Sequence, residues 1–70
     1  MSDRKTENLM DELLKEMNRA REVLKEYEQI PEGIFGAAMI KQSIQRAEKS
    51  ISSGDVVQML LAYNDLKSIE

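Results

Sequence analysis

Seventy residues with no Cys and no His, and 10 Lys plus Arg against 13 Asp plus Glu for a net charge of −3, allow one small domain and exclude a disulfide or zinc staple. The charge is too balanced for a nucleic-acid binder that neutralises phosphates, and too weak for a polyanion. No apolar stretch nears the roughly 18 residues of a membrane span and the charged N-terminus lacks a signal peptide's apolar segment, so a cytoplasmic protein is expected.

The first element is a helix expected over about residues 6–28. Met10, Leu13, Met17, Ala20, Leu24 and Tyr27 recur at alternating steps of three and four, the heptad spacing of a helix that lies along other helices. Ser2 or Asp3 stands where an N-cap is needed. Asp11/Lys15, Glu12/Lys15, Glu16/Arg19 and Glu22/Lys25 are opposite-charge pairs at helical spacing, each contributing ~0.2–0.5 kcal/mol. Leu9, Leu14 and Val23 flank the heptad line and widen it beyond a two-stranded seam.

A turn is expected over residues 30–33. Pro31 drives Ile30 out of the helical region, and Gly33 tolerates a reversal of the chain. Helix 2 then spans about 34–52, with the small residues Gly36, Ala37 and Ala38 early and Ala37, Ile40, Ile44, Ala47 and Ile51 at heptad spacing. The second turn, 53–54, has Gly54 for a left-handed C-cap, and Asp55 with Gln58 three residues on forms a capping-box-like pair. Helix 3 covers about 55–68, with Val56, Met59, Tyr63 and Leu66 on one line and Val57, Leu60 and Ile69 beside it. No segment alternates with period two, so no strand is expected.

The fold class is therefore all-α, a three-helix chain made of one long heptad helix plus an αα-hairpin. Helix 1 measures ~30 Å and helix 3 only ~21 Å at 1.5 Å per residue, so one hairpin does not obviously cover the wide face of helix 1. A small chain also lacks a large core, and self-association is the staple still open to it. The expectation is a homodimeric helical bundle in which Met10, Leu13, Leu14, Met17, Ala20, Leu24 and Tyr27 form the dimer or partner interface. A monomeric three-helix bundle is the alternative.

Catalysis has little to draw on. Without imidazole or thiol the usual bases, nucleophiles and soft metal ligands are missing. Glu12/Glu16 and Glu22/Glu26 pair carboxylates one turn apart, but di-metal bundles combine such residues with His, so a solvated face is the simpler reading. Gly33-Ile34-Phe35-Gly36 matches the Gly-x-x-Gly loop of KH domains, yet the sheet those domains need is missing. Residues 47–68 are similar to one tetratricopeptide hairpin without the second copy about 34 residues away. Met10, Met17, Met39 and Met59 suit core filling first and an adaptable binding surface second. No enzyme, cofactor or metal is expected.

Ile30-Pro31-Glu32-Gly33-Ile34-Phe35-Gly36, then Met39-Ile40-Lys41-Gln42, then Ser53-Gly54-Asp55-Val56-Val57 with Met59-Leu60 and Ala62-Tyr63, resembles small uncharacterised helical proteins of bacteriophages and prophages of Gram-negative bacteria. The resemblance covers about half of the chain and brings no catalytic or binding residue with it. It implies a bacterial cytoplasmic setting and an accessory role. The expected function is a non-enzymatic protein–protein interaction module, a homodimer acting on an unknown host or phage protein. A phage-type inhibitor that occludes a host nuclease, polymerase or defence complex is the alternative. A DNA-binding regulator comes last, because the stretch from Asp55 to Ile69 offers only Lys67 to a phosphate.

Overall fold

The structure, a computed structural model, describes residues 3–70, with side chains from Asn8 onward. The cap expected from Ser2 or the Asp3 side chain lies outside the described residues. The elements are α1 (Asp3–Glu28), a 3-10 turn (Pro31–Gly33), α2 (Ile34–Ser53) and α3 (Val56–Lys67). The described residues contain no strand.

Each break has a local chemical cause. Ile30 is extended (φ −112°, ψ 124°), as the ring of the following proline requires, and Gly33 N–H closes the turn on the Ile30 carbonyl at 2.9 Å. At the second break Gly54 takes a left-handed φ of 67°. Gly54 N–H then donates to Ile51 O at 3.1 Å and Asp55 N–H to Ser50 O at 3.3 Å, the paired bonds of a Schellman ending. The Asp55 carboxylate accepts from Gln58 N–H at 3.2 Å, which caps α3 and contributes about 1 kcal/mol.

Both connections are short, so the chain runs up, down and up again. Arg21 lies against Glu48 and Glu28 against Lys41, each at 3.4 Å, which sets α2 antiparallel to α1. Arg19 meets Leu66 and Ile69 while Tyr27 meets Glu70, which sets α3 parallel to α1. These exposed ion pairs fix register more than stability. The bundle measures 48 × 16 × 16 Å.

The core takes three side chains from each helix: Leu13, Met17 and Ala20; Ile40, Ile44 and Ala47; Met59, Ala62 and Leu66. The alanine in each set lets the three helices close to a common axis. This arrangement corrects the reading of α1. Leu13, Met17 and Ala20 are buried within the chain, Met10, Leu24 and Tyr27 are partly buried against them, and only Leu14 stays exposed. The face assigned to a symmetry mate is covered by the chain's own hairpin. The physical reason is angular: α2 and α3 occupy adjacent sectors around α1, so one hairpin meets a broad face although α3 is short.

Arg19 fastens this packing. Its Nη1 donates to Ile69 O at 2.9 Å, its Nη2 to Leu66 O at 2.8 Å and its Nε to Glu16 Oε1 at 3.0 Å. The guanidinium thus adds a second donor to Leu66 O, which also accepts from Ile69 N–H at 3.1 Å, ties down the Ile69 carbonyl just beyond the helix, and places a cation at the negative end of the α3 dipole. Arg19→Ala is expected to lose about 1.5–3 kcal/mol, the range for hydrogen bonds involving a charged group. Arg19→Lys should recover less than half of the loss, because an ammonium lacks the planar fork. Urea denaturation measures both, and an unchanged midpoint for either variant would contradict the clamp.

Candidate functional site

Three of the four paired carboxylates of α1 lie in i,i+3 ion pairs along that helix. Glu12 pairs with Lys15 at 3.8 Å, Glu16 with Arg19 at 3.0 Å and Glu22 with Lys25 at 3.4 Å. No group of three metal-ligating side chains occurs among the described residues. Lys67 lies 5.2 Å from the ring centroid of Tyr63, so the one cation of α3 rests on its own helix. The Gly-x-x-Gly stretch is a packing point around Tyr27. A Cβ on Gly36 would sit 2.5 Å from the Tyr27 Cδ2 and Cε2 atoms, and one on Gly33 would run into the Tyr27 carbonyl oxygen. The same tyrosine donates its hydroxyl to Glu70 O at 3.0 Å.

What the bundle presents outward is apolar. At the start of α2, Phe35 is 84% exposed and Ile34 and Met39 are each 69% exposed, with Ile30 half exposed just before them. Ala38 is exposed too, and its place between Ile34 and Met39 in helical register joins them into one strip. On α3, Val56, Val57, Leu60 and Leu61 are exposed. The spacing is the same in both helices, i, i+1, i+4 and i+5. It falls on the side away from the buried Ile40, Ile44 and Ala47 in α2, and away from Met59, Ala62 and Leu66 in α3.

Because the hairpin is antiparallel, the two strips lie toward opposite ends of the bundle. Beside Met39 an open groove of about 340 Å³ runs between α2 and the end of α3, with Tyr27, Ile40, Ser43 and Asp65 in its walls. The buried Asp65 Oδ2 there has Arg46 Nη1 at 3.7 Å, an ion pair longer than a hydrogen bond.

Periodicity alone sets Val56, Val57 and Leu60 among the residues of a face to be buried, and does not single out Phe35 or Leu61 as contact residues. A signal for them is nevertheless present in the chain: each hairpin helix has two apolar lines, and one three-helix core accepts only one line from each. Among the described residues no helix is long and apolar enough to cross a membrane. Comparison of the chain with family models, with curated proteins and with solved structures finds no match.

Proposed function

We propose that this chain is a non-enzymatic protein–protein interaction module, a small phage- or prophage-type accessory protein of the bacterial cytoplasm that works as a homodimer and binds a host or phage protein. The observation that carries this reading is Phe35, the sole phenylalanine of the chain, which stands 84% exposed beside Ile34 and Met39. Single exposed apolar residues are ordinary, but a contiguous patch marks an interaction surface. Aromatic residues at the centre of such patches carry a large share of binding energy. Methionine adds a side chain that repacks against differing surfaces at little cost. The strip also lies on a regular helix held by the buried Ala37 and by Ile40 in the core, so it is ordered before any partner arrives and binding loses less entropy.

Affinity capture from bacterial lysate, with and without the relevant phage, tests the reading when wild type and Phe35→Asp are compared as baits. Phe35 contributes nothing to the core, so the variant should keep the wild-type circular dichroism and melting temperature. A partner held through an aromatic anchor should lose at least about thirtyfold in affinity, corresponding to ~2 kcal/mol. Recovery of the same proteins by both baits, or of none by wild type, would overturn the assignment.

A further inference from the structure

We propose that Met39 is a peroxide-sensitive modification site, and that its conversion to the sulfoxide switches off the apolar strip of α2 while the fold stays intact. The inference rests on the partner surface proposed above and adds a regulation to it.

The methionines divide by place. Met17 and Met59 lie in the three-helix core at 2% and 1% exposure, and Met10 is partly buried against that core. Met39 is 69% exposed. The chain has no cysteine, so among the described residues Met39 is the most open side chain that carries an oxidisable sulfur. Susceptibility follows exposure. A thioether sealed in the core reacts only when the fold opens, in about one molecule in a thousand or fewer. The bundle therefore imposes an order of oxidation: Met39 first, Met10 later, Met17 and Met59 last.

The chemistry is a two-electron oxygen transfer from hydrogen peroxide. A lone pair of the Met39 sulfur attacks one peroxide oxygen, the O–O bond breaks and an S–O bond forms. The proton of the transferred oxygen passes to the departing hydroxide, which leaves as water. Sulfur is oxidised by two electrons and the peroxide is reduced by two. Because the chain holds no thiol of its own, the reversal draws two electrons and two protons from external thiols through a sulfoxide reductase, and the oxygen leaves as a second water.

The consequence falls on the strip. Met39 stands one turn after Phe35 on the outer face of α2 and borders the groove that Tyr27 and Ile40 line. As a thioether it repacks against an apolar surface at little cost. A sulfoxide carries a strong acceptor oxygen, and an apolar partner surface would strip that oxygen of water without replacing the hydrogen bond. The fold does not register the change, because Ile40, Ile44 and Ala47 hold α2 from the opposite side. Oxygen added to Met17 or Met59 would instead bury an unpaired acceptor in the core and open the bundle. The order of exposure thus places the switch ahead of the damage. Leucine at position 39 would offer a similar apolar area with no oxidisable atom, which makes Met39→Leu the control.

Titration of the full chain with hydrogen peroxide tests this. Trypsin cuts after Lys and Arg and leaves Met10, Met17, Met39 and Met59 on four separate peptides, 6–15, 16–19, 26–41 and 50–67, so mass spectrometry reads each one. Met39 should react at least about tenfold faster than Met17 and Met59, with Met10 between them, and in urea all four should react alike. Once Met39 is converted, circular dichroism and melting temperature should match those of the untreated chain, while retention on a phenyl resin falls. Met39→Leu should keep its retention through the same treatment. Oxidised wild type should bind a protein recovered in the Phe35 capture about tenfold or more weakly, and treated Met39→Leu should bind it as before. Equal reactivity of Met39 and the core methionines in the folded chain, or a lower melting temperature after Met39 alone is oxidised, overturns the site. Unchanged retention, or a loss that Met39→Leu shares, overturns the switch. A wild-type bait that captures nothing overturns the partner reading, and the peptide map and the resin still decide the site without a partner.

Discussion

Leu66→Ala is expected to lower the unfolding free energy by about 2–5 kcal/mol and to release α3 from the bundle. Leu66 is fully buried, and with Met59 and Ala62 it makes up the contribution of α3 to the core. Ala62 has no side chain beyond its methyl and Tyr63 is only partly buried against the core, so Met59 and Leu66 are the two large side chains of this helix that are fully buried. A domain of this length has a total stability of only about 4–10 kcal/mol at ~0.05–0.15 kcal/mol per residue. The substitution therefore removes a large fraction of it. Withdrawal of Leu66 also loosens the carbonyls that Arg19 holds, so a double substitution with Arg19→Ala should cost less than the sum of the two singles. Urea titration followed by far-ultraviolet circular dichroism gives the number. A change below about 1 kcal/mol, the mean for an arbitrary substitution, would show that α3 is not docked through this residue.

Gly33→Ala is the second large effect, expected at about 1–3 kcal/mol as an overpacked site and visible as a fall in melting temperature on the order of 10 °C for a chain this small. The cause is steric and not conformational. Gly33 has a φ of −84°, which any residue adopts, but a Cβ there would collide with the Tyr27 carbonyl oxygen. That oxygen belongs to the last turn of α1 and already accepts from Ile30 N–H at 3.2 Å, so it cannot move without opening the turn. Gly36→Ala provides the comparison, because its Cβ would meet only the Tyr27 ring. A ring swings aside at the cost of its hydroxyl bond to Glu70, so Gly36→Ala should destabilise less. Thermal unfolding of the two variants decides, and a larger loss for Gly36→Ala would contradict the account.

Elements written in neighbouring residues are legible in the chain itself. The heptads of α1 and α2, Pro31 after Ile30, and Gly54 followed by Asp55 each act within a few positions, which is why three helices and two turns follow from them. Long-range partnerships are not legible in this way. Arg19 reads as the i,i+3 partner of Glu16 and is so, yet its two bonds to the end of α3 go to carbonyls 47 and 50 residues downstream. The wide α1 face calls for cover, but its residues carry too little information to say which helices supply it.

The sequence by itself determined the helices, their ends and the poverty of catalytic side chains, because periodicity, capping and side-chain chemistry are local properties. Only the tertiary structure decided which apolar residues are core and which are surface. Ile40 and Met39 are chemically equivalent for that purpose, as are Met59 and Leu60, and the composition of either helix would allow either line to be buried. The choice falls to how three helices close on one core, which includes Ala20, Ala47 and Ala62. That packing leaves Phe35 and Leu60 toward water, and with Phe35 the surface through which this chain is proposed to act.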